Sequence, residues 1–270
     1  MSNETKPRPR ALTIAGSDSG GGAGIQADLK TFAALGVYGA SAITAITAQN
    51  TVGVRAIHEI PVDVIGAQID AVLEDIGADA AKTGMLSSAP IIDVVADRLR
   101  FHAVANLVVD PVMVAKSGDR LLREDAVSAL KSVLLPLAAV VTPNAPEAAV
   151  LSGVDVVDAA SAREAARRIA DLGPRLVIVK GGHLEGDRSD DLVWDGREFS
   201  LLSGRRVATR HTHGTGCTFS AAIAAYLARG CAPVDAAREA RAYLQGAIEH
   251  AEPLGAGHGP VNHLWRQANG

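Results

Sequence analysis

The sequence predicts one α/β domain in which helices cover both faces of a mainly parallel sheet. Short apolar runs typical of buried strands alternate with segments of helical periodicity along the 270 residues. Such alternation indicates βαβ units, whose parallel strands are buried by helices on both sides. Because no linker-like stretch or fixed-period repeat divides the chain, we expect a single domain over residues 11–270, after a flexible tail over residues 1–10.

The first half of the chain supplies alternating strands and helices. ALTIA, at residues 11–15, is a short apolar run before a glycine-rich turn, which predicts a strand. NLVVDP, at residues 106–111, predicts a buried strand that stops at proline. The other predicted elements of this half are strands at 39–47 and 78–84 and helices at 23–35, 62–76 and 89–101.

The second half repeats the pattern and then changes it. Apolar runs at 138–144 and 175–182 predict two more buried strands. Residues 192–202 differ, because Asp195-Gly196 is a strong signal for a hairpin turn between antiparallel strands. Helices are predicted to follow at about 215–229 and 233–250.

The composition excludes several classes of protein. A net charge of -4 does not provide the basic face of a general nucleic-acid binder, and nine aromatic residues offer little material for base stacking. No run of about 18 apolar residues predicts a membrane span. Two cysteines, Cys217 and Cys231, make no disulfide framework, which favours a reducing compartment. We therefore expect a cytoplasmic globular protein whose partners are small molecules, not nucleic acid or membrane.

Polar, charged and glycine residues gather at the predicted carboxyl ends of the strands. In open α/β sheets these ends form one rim, and ligands bind there. The rim contains Gly16-Ser17-Asp18, Gln49-Asn50, Thr83-Gly84-Met85, Asp110-Pro111, Pro143-Asn144 and Lys180-Gly181-Gly182.

Several familiar motifs fail at specific positions. Residues 22–27 fit the G-x-G-x-x-A dinucleotide form, but no acid between Asp28 and Glu59 is available for a ribose. A P-loop also fails, because Leu29 stands where its second glycine belongs. The eight histidines have no metal-ligand spacing with a cysteine pair, so we interpret them as surface or loop residues.

The segment HTHGTGC, at residues 211–217, ends in a Gly-Thr-Gly turn where a helix is predicted to begin. Gly214, Thr215 and Gly216 leave backbone N–H groups free there, with the positive end of the helix dipole behind them. Such a turn suits the charge that develops on a transferring phosphoryl group. An ordinary glycine-containing helix start is the alternative. A phosphatase-type role for Cys217 is excluded, because position 223 is isoleucine and not the arginine that such enzymes need.

Taken together, these motifs resemble the hydroxymethylpyrimidine/phosphomethylpyrimidine kinases of thiamine biosynthesis, within the ribokinase-like superfamily. The matching segments are residues 15–39, 44–54, 82–86, 108–122, 142–148, 179–183, 212–225 and 257–263. The resemblance implies a ribokinase-like three-layer α/β/α fold and a homodimer. It also implies phosphoryl transfer from Mg-ATP to 4-amino-5-hydroxymethyl-2-methylpyrimidine, and a second transfer to the resulting monophosphate. ATP and Mg²⁺ would be the cofactors, and assistance by a monovalent cation stays open.

The resemblance also assigns residues to the acceptor. Gln49 offers an acceptor and a donor side by side, which suits a bidentate pair with an aminopyrimidine. Asp28 is expected to take another amino or hydroxyl hydrogen. The pocket would be completed by Gly16, Ala23, Met85 and Val112, of which Met85 and Val112 could equally serve core packing.

On the nucleotide side, oxygen ligands for Mg²⁺ are expected from Asp110, Asn144 and Glu147, partly through water. Lys180 follows an apolar strand and is expected near the ATP phosphates. The remaining residues assigned to ATP or to the transferring phosphoryl group are Gly182, Thr212, Asn144 and the turn Gly214, Thr215, Gly216 and Cys217.

Cys217 stands where most of the superfamily has an aspartate, the proposed base for the substrate hydroxyl. A partly ionised thiol at a helix N-terminus would give modest help with the first hydroxyl. The second acceptor is a phosphate oxygen that is already deprotonated and would be repelled by a carboxylate. We hypothesise that a neutral or nearly neutral Cys217 lets one site perform both steps.

Two other functions stay open. A pyridoxal kinase also phosphorylates a hydroxymethyl group on a nitrogen heteroaromatic ring, although Gln49 favours the aminopyrimidine. A non-catalytic pyrimidine-binding protein with the same fold is more remote, because a mere binder need not keep Asp110, Lys180 and the Gly-Thr-Gly turn together.

Overall fold

A nine-stranded sheet forms the centre of the computed structural model, which describes residues 8–113, 124–181 and 188–267. Its strands are β1 (Arg10–Asp18), β2 (Tyr38–Gln49), β3 (Val54–Glu59), β4 (Ala80–Thr83), β5 (Leu107–Val109), β6 (Val140–Val141), β7 (Leu176–Val179), β8 (Asp191–Trp194) and β9 (Phe199–Leu202). They lie in the order β3-β2-β1-β4-β5-β6-β7-β8-β9. Six neighbouring strands, from β2 to β7, are parallel, whereas β3, β8 and β9 are antiparallel to their neighbours. The mainly parallel sheet is therefore confirmed.

Helices cover both faces of this sheet. Their bounds are α1 (Gly24–Ala34), α2 (Val62–Asp75), α3 (Ala89–Phe101), α4 (Glu124–Ala129), α5 (Ala145–Ser152), α6 (Ala159–Ala170), α7 (Thr215–Ala228) and α8 (Pro233–Glu249). Buried residues of α2 to α6 pack in one core on one face, and those of α1, α7 and α8 in a second core. Strand residues alternate between the cores, since Leu12 and Ile14 belong to the first and Ala11 to the second. The predicted three-layer arrangement is confirmed.

Helix α7 is almost entirely buried, because small side chains let it approach the sheet, α1 and α8 closely. Every residue from Thr218 to Leu227 is buried, and alanines alternate with large apolar residues such as Phe219. Truncating a buried aromatic residue of this kind costs about 3–5 kcal/mol. The N-terminus of α7 is thereby fixed at the carboxyl-end rim of the sheet.

The structure adds elements that the sequence patterns did not predict. Helices α5 and α6 each begin at a capping box, formed by Asn144 with Glu147 and by Asp158 with Ser161. The edge strand β3 is mostly exposed, so it lacks the apolar alternation by which strands are recognised. Strand β1 begins at Arg10, one residue before its predicted start, and residues 1–7 of the predicted tail lie outside the described residues. Within the described part of the chain, no helix combines the length and apolar character needed to cross a membrane.

Candidate functional site

A cavity of about 750 Å³ opens at the carboxyl ends of the parallel strands, beside the start of α7. It brings together most of the predicted site residues: Gly16, Ala23, Gln49, Met85, Asp110, Val112, Asn144, Glu147, Lys180, Thr212, Gly214, Thr215, Gly216 and Cys217. Asp28 is not among the described residues that line it, and Gly182 lies outside the described part of the chain. Residues from strands far apart in sequence therefore meet in one space.

The Gly-Thr-Gly turn begins α7 and needs glycine at its first position. Gly214 has φ +78, and a Cβ there would lie 1.8 Å from the backbone oxygen of Gly22. The two glycine-rich loops are thus in backbone contact. The first N–H groups of an α-helix have no partner within the helix. A Cβ on Gly216 would lie 3.5 Å from both Lys180 Nζ and Asp110 Oδ2, so these N–H groups open beside a cation.

Asp18 and His213 hold the two loops together. The Asp18 carboxylate accepts hydrogen bonds from the backbone N–H groups of Gly20, Gly22 and Ala23, at 2.8, 3.1 and 2.9 Å. His213 Nε2 donates to Asp18 Oδ2 at 2.8 Å. Although burial opposes its charge, these hydrogen bonds lower the pKa of Asp18. The sequence pattern marked Asp18 only as a strand-end residue and gave it no role.

Two histidines that lie in loops, as the sequence allowed, are not surface residues. His213 and His263 are buried, at 9% and 5% exposure. His263 Nε2 lies 3.1 Å from Thr218 Oγ1 in the first turn of α7, and burial lowers the pKa of His263 to about 4. Sequence spacing gave no sign of this, because each partner comes from a different part of the chain.

The segment 257–263 is hydrogen-bonded to two loops beside the site. The backbone N–H of His258 donates to the Thr51 carbonyl at 2.9 Å, and His258 Nδ1 donates to the Arg210 carbonyl at 3.0 Å. The N–H of His213 donates to the Gly259 carbonyl at 3.1 Å. This segment therefore ties the loop after β2 to the loop that precedes α7.

Lys180 is shared between two carboxyl groups at the nucleotide side of the cavity. Its Nζ lies 3.1 Å from Asp110 Oδ1 and 3.8 Å from Glu147 Oε2. The pKa of Glu147 is raised to about 7, mainly by burial and also by Asp110, against the opposing charge of Lys180. One cation therefore faces two carboxyl groups, and one of these resists ionisation.

These residues fit a Mg²⁺ ion that arrives with a nucleotide. Asp110 and Glu147 both line the cavity, and Mg²⁺ is commonly held by one or two carboxylates together with water and phosphate oxygens. Among residues 8–113, 124–181 and 188–267, no three His, Cys, Asp or Glu side chains form a closed metal site. The Asn144 side-chain oxygen accepts from the Glu147 backbone N–H at 2.9 Å, and Glu147 Oε2 accepts from the Asn144 N–H at 2.7 Å. Asn144 thus orients Glu147 through the capping box.

Lys82 and Asp28 form a buried ion pair behind the acceptor side of the cavity. Lys82 Nζ lies 3.0 and 2.9 Å from the two Asp28 oxygens, and both side chains have no exposed surface. Thr13 Oγ1 donates to Asp28 at 2.6 Å. The expected contact of Asp28 with substrate is replaced by this pairing, because its carboxylate is enclosed by core residues while Lys82 lines the cavity. A sequence signal for this pair existed but was not used: a lysine stands in the buried strand β4.

Cys217 carries a neutral thiol in this environment. The pKa of Cys217 is raised to about 11, mainly by burial and also by Asp28 and Asp110, against the opposing effects of Lys82 and the Gly24 N–H. The partial ionisation that the sequence allowed is therefore absent at neutral pH. The hypothesis that Cys217 is neutral or nearly neutral agrees with this pKa.

The two ends of the cavity differ in chemistry. At one end Gln49 completes β2, and its side-chain oxygen lies 3.2 Å from Thr47 Oγ1, which donates to the Ser17 carbonyl at 2.8 Å. Met85 and Val112 line the same cavity with Gly16 and Ala23. The other end has an apolar wall that the sequence patterns did not predict, because loop and helix residues far apart in sequence form it: Val207, Phe219, Leu244 and Ile248.

The chain is similar to known kinases over most of its length. A family model described as phosphomethylpyrimidine kinase matches residues 18–262. The hydroxymethylpyrimidine/phosphomethylpyrimidine kinase of Rhizobium meliloti is 55% identical over 259 residues, covering 95% of this chain and 97% of that protein. The thiamine biosynthesis bifunctional protein of Geobacter sulfurreducens is 54% identical over 258 residues; the match covers 96% of this chain but 53% of that protein, about half its length. A solved ADP complex of Bacillus subtilis pyridoxal kinase superposes with a TM-score of 0.90 at 40% identity, covering 97% and 99% of the two chains.

Proposed function

Because the chain belongs to the phosphomethylpyrimidine kinase family, we propose that it phosphorylates 4-amino-5-hydroxymethyl-2-methylpyrimidine and then the resulting monophosphate, with Mg-ATP as donor. The observation that carries this proposal is the single cavity lined by Gln49, by the Gly214–Cys217 turn and by the Lys180–Asp110–Glu147 cluster. An acceptor at one end and a triphosphate at the other would meet at the N–H groups of this turn. The diphosphate product would supply thiamine biosynthesis.

At the acceptor end, Gln49 would read the aminopyrimidine. The side-chain oxygen of Gln49 lies 3.2 Å from Thr47 Oγ1, whose proton is donated to the Ser17 carbonyl. The Gln49 oxygen can therefore accept from the exocyclic amine, and its NH₂ group can donate to a ring nitrogen. Met85 and Val112 would contact the ring. The hydroxymethyl group would then face the turn at Cys217.

At the nucleotide end, fixed charges would stabilise the transferring group. Phosphoryl transfer passes through a loose transition state, so positioning and charge neutralisation matter more than a strong base. Lys180, Thr212 and the N–H groups of the turn would bind phosphate oxygens. Asp110 and Glu147 would hold Mg²⁺, which neutralises phosphate charge when it is bound. The relative that was solved with ADP supports nucleotide binding at this end.

We propose that a neutral Cys217 lets one site bind both acceptors, the alcohol and the phosphate monoester. A thiol with a pKa of about 11 does not repel a phosphate monoester, whereas a carboxylate at the same position would. We expect Cys217→Asp to slow the second phosphorylation at least ~10-fold more than the first. Steady-state kinetics with each acceptor measures this ratio, and an equal effect on both steps would reject the electrostatic role.

Product identification is the direct test of the proposed function. The protein, Mg-ATP and the aminopyrimidine are incubated, and products are identified by mass. A diphosphate supports both steps, a monophosphate alone supports only the first, and no product with any acceptor revives the non-catalytic alternative.

Pyridoxal kinase is the second candidate, favoured by the similarity to the solved pyridoxal kinase. Competition between pyridoxal and the aminopyrimidine for phosphorylation separates the two functions, and Gln49→Leu should lower the activity with the aminopyrimidine more than that with pyridoxal.

We further propose a homodimer, to be checked by sedimentation, and a cytoplasmic location, in keeping with the free thiols of Cys217 and Cys231.

A further inference from the structure

Lys82 is a buried charge at the cavity for which the proposed reaction has no role so far. All four residues of β4 are buried, and the lysine there is paired only with Asp28 among the described residues. Removing two charges from water costs several kcal/mol per ion, and apolar residues of similar size often replace such a pair without loss of stability. Buried charges of this kind cluster at functional sites. Stability alone therefore does not account for the pair.

The pair has a fixed orientation toward the acceptor end of the cavity. Lys82 lines the cavity and Asp28 does not, so the ammonium is the nearer pole. Gly84 also lines the cavity, and a Cβ there would lie 2.9 Å from Lys82 Nζ and 3.0 Å from Ala15 Cβ. A side chain at position 84 would therefore collide with the ammonium, which has no exposed surface although Lys82 lines the cavity. Lys82 and Cys217 line the same cavity, and the charge of Lys82 opposes the rise in the pKa of the Cys217 thiol.

The two acceptors of the proposed reaction differ in charge at this position. The first is a neutral alcohol, whereas the second is a phosphate monoester with a charge of about -1.5 to -2 at neutral pH. In the second step an oxygen of the monoester bonds to the γ-phosphorus of ATP, the bond to the β–γ bridging oxygen breaks, and ADP leaves with its electron pair. No proton has to be removed. Only the second acceptor therefore brings its own negative charge to Cys217.

Lys180 is poorly placed to balance that charge, because it is already shared between Asp110 and Glu147. Building on the proposed function, we propose that the Lys82–Asp28 pair is a specificity determinant of the acceptor end, whose ammonium pole admits the phosphate monoester beside Cys217. An oriented pair in a low-dielectric site acts over several ångströms without touching the ligand. The neutral alcohol gains little from it.

The test removes both charges together and compares the two acceptors. Asp28→Asn/Lys82→Met keeps the shapes and leaves no unpaired buried charge, and Asp28→Asn/Lys82→Gln is a second version in case the first does not fold. We expect kcat/KM for the monophosphate to fall about 10- to 100-fold more than that for the alcohol. The affinity for the monophosphate without ATP, measured by calorimetry, should fall by a similar factor. Thr13→Val removes a hydrogen bond to the same carboxylate but keeps both charges, so the ratio of the two activities should not change.

The wild-type protein separates the outcomes. If it phosphorylates neither acceptor, the proposed function fails whatever the variants do. If it phosphorylates both and the double variant loses both activities equally, Lys82 and Asp28 are merely structural and the inference is overturned. A selective loss of the monophosphate, absent in Thr13→Val, supports the inference.

Discussion

Lys82 and Lys180 both line the cavity near Cys217, but they are held in opposite ways. Lys82 has no exposed side-chain surface and is matched one to one with Asp28. Lys180 is 17% exposed and is shared between Asp110 and Glu147. The charges of Lys82 and Asp28 therefore balance one another in the free protein, whereas two carboxyl groups face one ammonium around Lys180. This difference agrees with the proposed binding of a nucleotide that brings Mg²⁺ to Asp110 and Glu147.

The largest expected effect comes from removing Lys180. Lys180→Met deletes the cation beside the Gly-Thr-Gly turn and leaves Asp110 and Glu147 without a partner of opposite charge. We expect kcat to fall about 1000-fold for both acceptors, since stabilisation of the transferring phosphoryl group is lost in each step. Steady-state kinetics with the alcohol and the monophosphate measures it.

The matched control for Lys180 is Lys131→Met, on a helical turn that does not contribute to the cavity. It should leave both activities within about 2-fold, as expected for a surface change. If Lys180→Met lost activity with the monophosphate alone, the distinction between the two lysines would be wrong, because selectivity for the monophosphate is assigned to Lys82.

A substitution in the Gly-Thr-Gly turn should have the next largest effect. Gly214→Ala places a methyl group 1.8 Å from the Gly22 carbonyl oxygen at φ +78, so the turn must move. We expect kcat to fall about 100-fold with both acceptors, as when one oxyanion donor is lost. Chemical unfolding should also show a loss of about 2–4 kcal/mol.

Gly230→Ala is the control at the opposite end of the same helix. Gly230 has φ +89, but no atom lies within 4 Å of the position that a Cβ would take, so this site has the strained backbone without the collision. The variant should lose about 1–2 kcal/mol of stability and keep its kinetics. If Gly214→Ala keeps full activity as well, the turn does not bind the transferring group.

The contrast between local and distant pairings also explains what the sequence could predict. A mainly parallel sheet covered by helices on both faces, and most of its strands, followed from apolar runs, because buried parallel strands are encoded locally; the ribokinase-like fold followed from the family resemblance. The residues at strand ends could be assigned to one rim, since parallel strands finish at the same edge of a sheet. Gln49 and Lys180 were found in this way, whereas the Gly214–Cys217 turn was found from its glycines before a predicted helix.

The missed features depend on residues that are distant in sequence. Asp18 and His213 are 195 positions apart, and Lys82 and Asp28 are 54 apart. No local pattern reports that two such side chains will share a hydrogen bond. For Lys82 a local signal existed, because a lysine within an apolar strand requires a buried partner. The pKa of Cys217 was equally inaccessible, since it depends on burial and on neighbours from other strands.

The smallest expected effect is a pH dependence of stability, which tests the excess of carboxyl groups over ammonium groups around Lys180. Burial raises the pKa of Glu147 from 4.5 to about 7, so between these values the unfolded chain ionises while the folded carboxyl keeps its proton. The folded state then binds more protons, and its contribution to stability is lost as pH rises through this window. Glu147→Gln removes the titration but keeps a residue that capping boxes accept. We expect the wild type to lose about 1–3 kcal/mol relative to this variant between pH 5 and 8, measured by urea unfolding without nucleotide. Glu164→Gln, the same change at an exposed helix position, should show no such difference. Parallel profiles of stability against pH for wild type and Glu147→Gln would mean that the charges around Lys180 are already balanced without nucleotide.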